Sequence, residues 1–527
     1  MPRRECDNLF NPAYFDLKDS VSLYMKKHWG LAIALAAAAL LYAWPTQAYY
    51  CGFDDIRELH RIKYIPQPGL ASDFSTPLVG GGGHKYRPLT WTVNRLTWDR
   101  GQGSPLAFRA RNLLFHLWNI AMLYGIAWLL FSDATIALLV ALLFALHPLA
   151  HQSIIGATWT VTVSIAGLLT GLFLFFWSLR DGKSSVPWAA ASLVSGAIGL
   201  FCYDAMAPYY GMVVCFLALR WWEAGRRPVS IPYLVVFVLG VVAGPLAYAI
   251  LRRQATPPSG LSNMIPPAVE IVKNTVMYLG APWMFIDPVL SHGWLGLPLP
   301  GAAIRQGQDR LLWFAFNSLP VLAVLALMVW NAQAIRSRLG RVNWPRAAFL
   351  VICLAGAQSP FILFAGHASE TYLYLFVALY LLIAVYLLAR LATPRTTWIA
   401  AGLVLCLYVP AVLERSQRVS QCGEIVRNIL AGMRSASGAQ ELLLAPVSGE
   451  PVTEMYGFYG YRGIDAIGIG EYGREAIPEA FHYVTGSTGK VTVVPEWTLR
   501  QSCRQAQPGQ RCFWVHADGV FRPHPAP

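Results

Sequence analysis

The sequence predicts an α-helical polytopic membrane protein that carries a small C-terminal α+β soluble domain. Three observations predict it. Only 13% of the 527 residues are charged and 55% are hydrophobic, whereas soluble domains carry roughly 25% charged residues. Apolar runs of membrane-spanning length alternate with short polar loops, the pattern of helices that satisfy their own backbone in lipid. Past about Glu414 the apolar runs become short and are broken by Gly and Pro, the mark of a small folded domain outside the bilayer.

The apolar spans are Trp29–Ala48, Asn112–Phe131, Ala134–Ala150, Ile154–Leu179, Pro187–Tyr203, Ala205–Trp222, Ile231–Leu251, Leu311–Trp330, Arg346–Ala365, Tyr372–Leu391 and Trp398–Leu413. That makes about eleven transmembrane helices of ~20 residues each. The first span is too long for a cleaved leader, and no small-residue cleavage site follows it. Arg3, Arg4, Lys26 and Lys27 precede the first span, and Arg180, Arg226, Arg227, Arg336, Arg338, Arg341, Arg390 and Arg395 fall in alternate loops. Placing these inside satisfies the bias of cytoplasmic loops toward Lys and Arg. The loop of about 49–106, the Arg252–Arg310 loop and everything after Glu414 then face outward. The expected division is a membrane domain over 1–413 and an extracytoplasmic soluble domain over 414–527.

The net charge of +13 is spread over loops on both faces, so nucleic acid is not an expected partner. Inner Lys and Arg suit anionic headgroups, and outer ones suit an anionic ligand. Cys503 and Cys512 flank RQAQPGQR, whose Pro508–Gly509 pair signals a turn, so the pattern predicts a disulfide-stapled hairpin in an oxidising compartment. No CxxC or His/Cys cluster marks a metal site. The C-terminal region opens with the helical stretch ERSQRVSQCGEIVRNILAGMRS, followed by ELLLAPV, KVTVVPEW and CFWVHA.

Four outward segments hold the candidate functional residues. The first loop places Asp54 and Asp55 just past a membrane exit, followed by Lys85, Arg87 and Arg95 with Tyr86, Trp91 and Trp98 among them. A carboxylate pair near cations and aromatics at a membrane surface suits chemistry on an anionic, lipid-borne substrate. The bland alternative is a helix start, with Asp54 or Asp55 as cap and Glu58 at capping-box spacing. The second segment, GHASETYLYL, holds His367, Glu370 and Tyr372 at a span boundary, where an aromatic belt is the competing explanation. The third, FCYDAMAPYY, holds Asp204, and an acidic residue at such a boundary is a site hypothesis by default. The fourth, ALHPLAHQSIIG, holds His147 and His151, and a lone histidine there is more often a satisfied polar contact. The Gly80–Gly83 run lacks a following GK[ST], so it is a lid or hinge rather than a phosphate loop.

These segments carry a resemblance. YRPL (Tyr86–Leu89), FHLWN (Phe115–Asn119), LFALHP (Leu143–Pro148) and ETYLYL (Glu370–Leu375) resemble, in order, signatures of the GT-C superfamily of membrane glycosyltransferases. The resemblance is nearest to the transmembrane-and-tetratricopeptide O-mannosyltransferases and their bacterial relatives, and it runs to about residue 390. The family places an acidic pair in its first outward loop, and Asp54–Asp55 occupies that place. Thr371 stands where the family has Arg, Tyr203–Asp204 where it has Lys-Glu, Gln152 where it has an acid, and no tetratricopeptide repeats follow.

The resemblance implies transfer of a sugar from a polyprenyl-phosphate-linked donor to a hydroxyl on a glycan or protein acceptor. Asp54 or Asp55 would be the general base. Lys85 and Arg87, with His367, Glu370 and Tyr372, would face the donor phosphate. Asp204, His147, His151 and Trp91 are further candidates. A single displacement inverts the anomeric centre, and with a phosphate leaving group no cofactor is obligatory. The expected setting is the bacterial inner membrane with the site facing the periplasm. The competing class is a lipid or sugar transporter or flippase, which would place charges at mid-membrane and broken helices in matching halves. Here the ionisable residues gather at span ends, and no two-half symmetry is present.

Overall fold

The computed structural model describes residues 17–51, 53–64, 69–75, 86–180, 184–224, 229–255, 267–283, 322–363, 370–447, 476–505 and 507–523. The chain is mostly helical: α1 Leu17–Ala43, α2 Phe53–Tyr64, α3 Leu70–Ser75, α4 Pro88–Gly101, α5 Pro105–Phe131, α6 Ala134–Ala145, α7 His151–Ile155 and α8 Val161–Ser178. There follow α9 Val186–Cys202, α10 Pro208–Ala224, α11 Ile231–Ala255, α12 Ala268–Gly280, α13 Ala332–Arg338, α14 Trp344–Ile362, α15 Leu373–Leu391 and α16 Pro394–Ser435. The C-terminal part adds β1 Glu441–Pro446, α17 Ala476–Thr485, β2 Lys490–Val493, α18 Glu496–Arg504, β3 Gln510–Val515 and β4 Phe521–Pro523.

Among the described residues, six helices (α5, α8, α11, α14, α15 and α16) are long and apolar enough to cross a membrane. The number becomes seven when the bent pair Ala134–Ala145 and Pro148–Ile155, which turns by 56°, counts as one span. Trp29–Ala43 and α9 are shorter apolar helices. The chain is an integral membrane protein. Of the eleven expected spans, most of Leu311–Trp330 lies outside the described residues. The bend has a local cause: a residue before proline is pushed out of the helical region, and His147 before Pro148 is extended at φ −69°, ψ 123°. On α11 the row Val235, Val238, Leu239, Val242, Leu246 and Ile250 is exposed, as a lipid-facing stripe should be.

Two helices approach so closely that only glycine fits between them. A Cβ on Gly167 of α8 would lie 2.7 Å from the Gly199 nitrogen of α9, and one on Gly199 would lie 2.8 Å from the Ser164 carbonyl. The Ser195 and Ser192 hydroxyls donate to the Gly167 and Gly171 carbonyls, both at 2.8 Å. Small residues with interhelical hydroxyl bonds are how helices associate in lipid, where apolar area alone gives no drive. This seam fixes the end of α9, where Asp204 begins a short 3-10 turn.

The last expected span does not stop at Leu413. It continues as one 42-residue helix, α16, from Pro394 to Ser435. The sheet beyond it has the order β2-β1-β3-β4, parallel except for the antiparallel β3–β4 pair. Cys503 and Cys512 are bonded. They join helix α18 to strand β3 rather than the arms of a hairpin, because the stretch before Cys503 has a helical rather than an alternating pattern.

Gly199→Val should cost about 2–3 kcal/mol by overpacking the α8–α9 seam. Gly402→Val on α16, where a Cβ meets nothing within 4 Å, should cost under about 1 kcal/mol. Thermal melting of both variants in detergent checks the contrast.

Candidate active site

The site is built on the connection between α7 and α8. Four side chains from neighbouring helices bond the carbonyls of residues 155–158. From α5, Arg109 Nε donates to the Ile155 carbonyl at 2.8 Å and Arg111 Nη2 to the Ala157 carbonyl at 3.0 Å. Asn112 Nδ2 donates to the Gly156 carbonyl at 2.7 Å. Asn94 Nδ2, from α4, donates to the Thr158 carbonyl at 2.9 Å. Arg109 is fully buried and also donates to the carbonyls of Ala48 and Tyr49, so it ties the exit of α1 to the same connection.

The connection held in this way presents Thr158 to Asp55. The Thr158 amide and hydroxyl donate to Asp55 Oδ1 at 2.9 and 2.8 Å, and Asp55 is only 3% exposed. α2 begins at Phe53, so Asp54 and Asp55 lie in its first turn rather than before it. Glu58 does not close a capping box. Its Oε1 instead accepts from Arg61 at 2.9 Å and from Asn94 at 3.1 Å. The Arg61 guanidinium lies over the Trp91 ring, and its Nε and Nη1 are buried without a hydrogen-bond partner among the described residues. Burial lowers the basicity of Arg61 to a pKa of about 10.

A second cluster assembles from three of the predicted segments. Arg87, just before α4, donates from Nη2 to Asp204 Oδ1 at 3.1 Å and lies 4.0 Å over the Tyr203 ring. Burial works against the cation, but Asp204, Tyr203 and Tyr372 outweigh it and hold Arg87 above its usual range. Arg87 Nε is buried with no hydrogen-bond partner among the described residues. Tyr372 stacks on Phe361 at 4.5 Å. α4 joins the two clusters: Arg87 precedes it, Trp91 and Asn94 are buried on it, and the spacings of four and three residues put all three on one side.

The remaining predicted residues fall as follows. His147 Nδ1 accepts from the Leu149 amide at 3.2 Å and packs on Tyr408 of α16 at 4.6 Å. His151 Nε2 lies 3.0 Å from the Ser416 hydroxyl. Both therefore join the bend to α16. Arg95 grips Asp73 of α3 with two bonds, at 2.9 and 2.8 Å. Trp98 faces Tyr483 of the C-terminal domain edge-on at 6.4 Å. Lys85, His367 and the Gly80–Gly83 run lie outside the described residues, as do the side chains of Asp54 and Glu370.

Reading the sequence missed Arg61, Asn94, Arg111 and Thr158. The available signal was FRARN, three polar side chains at the head of an apolar span. An apolar cleft of about 540 Å³ lies beside the site between α3 and the end of α11, lined by Leu70, Ala71, Phe74, Ser75, Leu251 and Gln254. Among the described residues no group of three or more His, Cys, Asp or Glu could hold a metal ion.

No protein-family model matches the chain. It is 25% identical over 232 residues to the protein O-mannosyl-transferase TMTC3 of Mus musculus, a match covering 39% of this chain and 25% of that protein. The human protein of the same name is 24% identical over 153 residues, 27% of this chain and 17% of that protein. The chain thus matches no more than about a quarter of the length of these relatives. Among solved structures, the oligosaccharyltransferase of Archaeoglobus fulgidus aligns with a TM-score of 0.46 and 13% identity, over 88% of this chain and 67% of that one. ArnT from Cupriavidus metallidurans aligns with a TM-score of 0.40 and 16% identity, over 92% and 93%. The chain is thus similar over part of its length to protein O-mannosyl-transferases.

Asp73 is fully shielded beneath Arg95. Asp73→Ala should destabilise the protein by about 3 kcal/mol, since it strips a partly buried guanidinium of its carboxylate. It should also loosen α3, and thermal melting with limited proteolysis reads both effects.

Proposed function

We propose that the protein is a membrane glycosyltransferase. It moves a sugar from a polyprenyl-phosphate-linked donor to an acceptor hydroxyl at the outer membrane face, with inversion at the anomeric carbon. The observation that carries this reading is a half-buried guanidinium, Arg87, whose buried Nε–H has no hydrogen-bond partner among the described residues, joined through α4 to the helix that begins with an acidic pair. An unfilled charged donor in a buried place costs about 1–3 kcal/mol or more, and a phosphate oxygen is the partner that relieves it.

In this reading Asp54 is the general base that takes the proton of the acceptor hydroxyl. Asp55 is committed to Thr158 and sets the angle of α2. Arg87 stabilises the charge that grows on the departing lipid phosphate, with Lys85 and His367 in the same role and Tyr372 and Glu370 lining the approach. The cleft between α3 and α11 is apolar and suits the donor's hydrocarbon chain. Fixed cations can supply the stabilisation of a phosphate leaving group, so no metal is required by the scheme. The Cys503–Cys512 disulfide fits an oxidising compartment, which supports a periplasmic site in a bacterial inner membrane. The similarity to mammalian protein O-mannosyl-transferases supports the reaction class, while the acceptor here is a glycan or a protein.

Lipid-linked sugar transfer in membranes tests the reading. Asp54→Asn should lower kcat by about 10²–10⁴-fold while the protein stays folded. Arg87→Gln should weaken polyprenyl phosphate binding about tenfold or more. Full activity in Asp54→Asn would remove Asp54 from the mechanism, and unaltered lipid binding in Arg87→Gln would remove the phosphate site.

A further inference from the structure

The acidic helix touches more than the membrane domain. On one side of α2, Arg57 Nε donates to Glu479 Oε2 of α17 at 2.9 Å, and His60 Nε2 lies 2.9 Å from His482 Nδ1. Lys63 Nζ donates to the Tyr483 carbonyl at 2.9 Å, and the Tyr64 hydroxyl donates to the His482 carbonyl at 3.1 Å. The Tyr64 and His482 rings stack at 4.1 Å with an interplanar angle of 15°. Arg57, His60 and Tyr64 follow a spacing of three and four residues, which places them on one face of the helix. Asp55, Glu58 and Arg61 bond instead to α4, to the α7–α8 connection and to each other. A single twelve-residue helix is therefore gripped by the C-terminal domain on one side and bonded to the membrane domain on the other.

We propose that this contact is a pH-sensitive latch, in which Glu479 and His482 of the C-terminal domain act as positioning residues for the acidic helix. Only its activity readout rests on the function proposed above. A hydrogen bond between two imidazoles needs one nitrogen to donate and the other to accept. When both rings are cationic, both facing nitrogens carry hydrogens and the bond is lost to repulsion.

The surroundings oppose a second charge. Around the pair stand Arg57, Lys63 and Tyr64 from α2, and Glu479 and Tyr483 from α17. Glu479, the carboxylate among them, is engaged with Arg57. Burial first, then His482 and Lys63, hold His60 below the usual imidazole range. A base whose pKa is lowered in the docked state favours docking fully above its free value of about 6.5. That contribution is lost as the pH falls from about 6.5 toward the lowered value. The latch is closed at neutral pH and opens in acid.

Hydrogen exchange of the α2 amides in the full-length protein, corrected for intrinsic exchange, tests it without reference to catalysis. In the wild type, protection over Glu58–Tyr64 should fall about tenfold or more between pH ~7.5 and ~5.5. Replacing both rings, His60→Gln with His482→Gln, should flatten that dependence to under about twofold. Glu479→Arg should lower protection about tenfold at neutral pH, and Arg57→Glu in the same chain should restore it by reversing the pair. In transfer assays the acid loss should appear in kcat, with KM for the donor unchanged, and it should be absent in the double variant. Protection that ignores pH in the wild type, an unaltered pH response in the double variant, or no recovery in the reversed pair would each overturn the latch. Protection that behaves as stated in a protein that transfers no lipid-linked sugar would uphold the latch and overturn the transferase.

Discussion

The half of the molecule that holds the candidate site depends on the way the α7–α8 connection satisfies its carbonyls. A chain that leaves a helix at the edge of a bilayer exposes acceptors that neither water nor a helix ladder fills, and each one left bare costs free energy. Arg109, Arg111 and Asn112 from one turn of α5, with Asn94 of α4, fill four of them in succession. The immobilised connection then holds Asp55 by an amide and a hydroxyl of one residue. Fully buried Arg109 reaches in the same step to the exit of α1, from which α2 follows. Fixing the backbone and fixing the carboxylate are one event, and the arginines belong to the support of the site rather than to its reacting groups.

The second centre is fixed by different physics. Arg87 is oriented by Asp204, and Asp204 sits where it does because α9 lies against α8 with only hydrogen atoms between Gly167 and Gly199. The Thr90 hydroxyl donates to the Cys202 carbonyl at 2.6 Å and sews α4 to the end of α9. The ETYLYL segment is held from below: the Tyr374 hydroxyl lies 2.6 Å from His116 Nδ1 and accepts from Asn119 at 3.1 Å. Two of the recognisable motifs are thus two halves of one buried hydrogen-bond cluster.

Much of this was legible in the sequence, for stated physical reasons. Apolar length located the membrane helices, and polar residues in the first loop and at a span end marked Arg87 and Asp204, which do meet. What was not legible is what depends on pairing across the fold. Glu58 has the spacing of a cap, but Arg61 and Asn94 claim it, and nothing local announces that choice. The cysteine pair read as a hairpin because a Pro-Gly turn lies between its members, yet EWTLRQSCR has helical periodicity that the turn signal overshadowed. The long α16 read as a span followed by a separate helix because charge begins at Glu414, although charge by itself does not end a helix. His147 and His151 lie on the expected stretch, but their partners Tyr408 and Ser416 come from α16, more than two hundred residues away in the chain.

That uninterrupted α16 has a mechanical consequence. Forty-two residues at 1.5 Å each make a rod about 63 Å long, bent at most locally by its internal Pro410. Its lower half is seated among the membrane helices and its upper half packs under the sheet, with Gly423 pressed against the Tyr49 backbone. Such a rod carries rotation from one end to the other. One residue added within it would turn the upper domain by about 100° relative to the lower, whereas seven would return it almost to phase. The azimuth of the C-terminal domain about the membrane normal is therefore counted out in residues along α16.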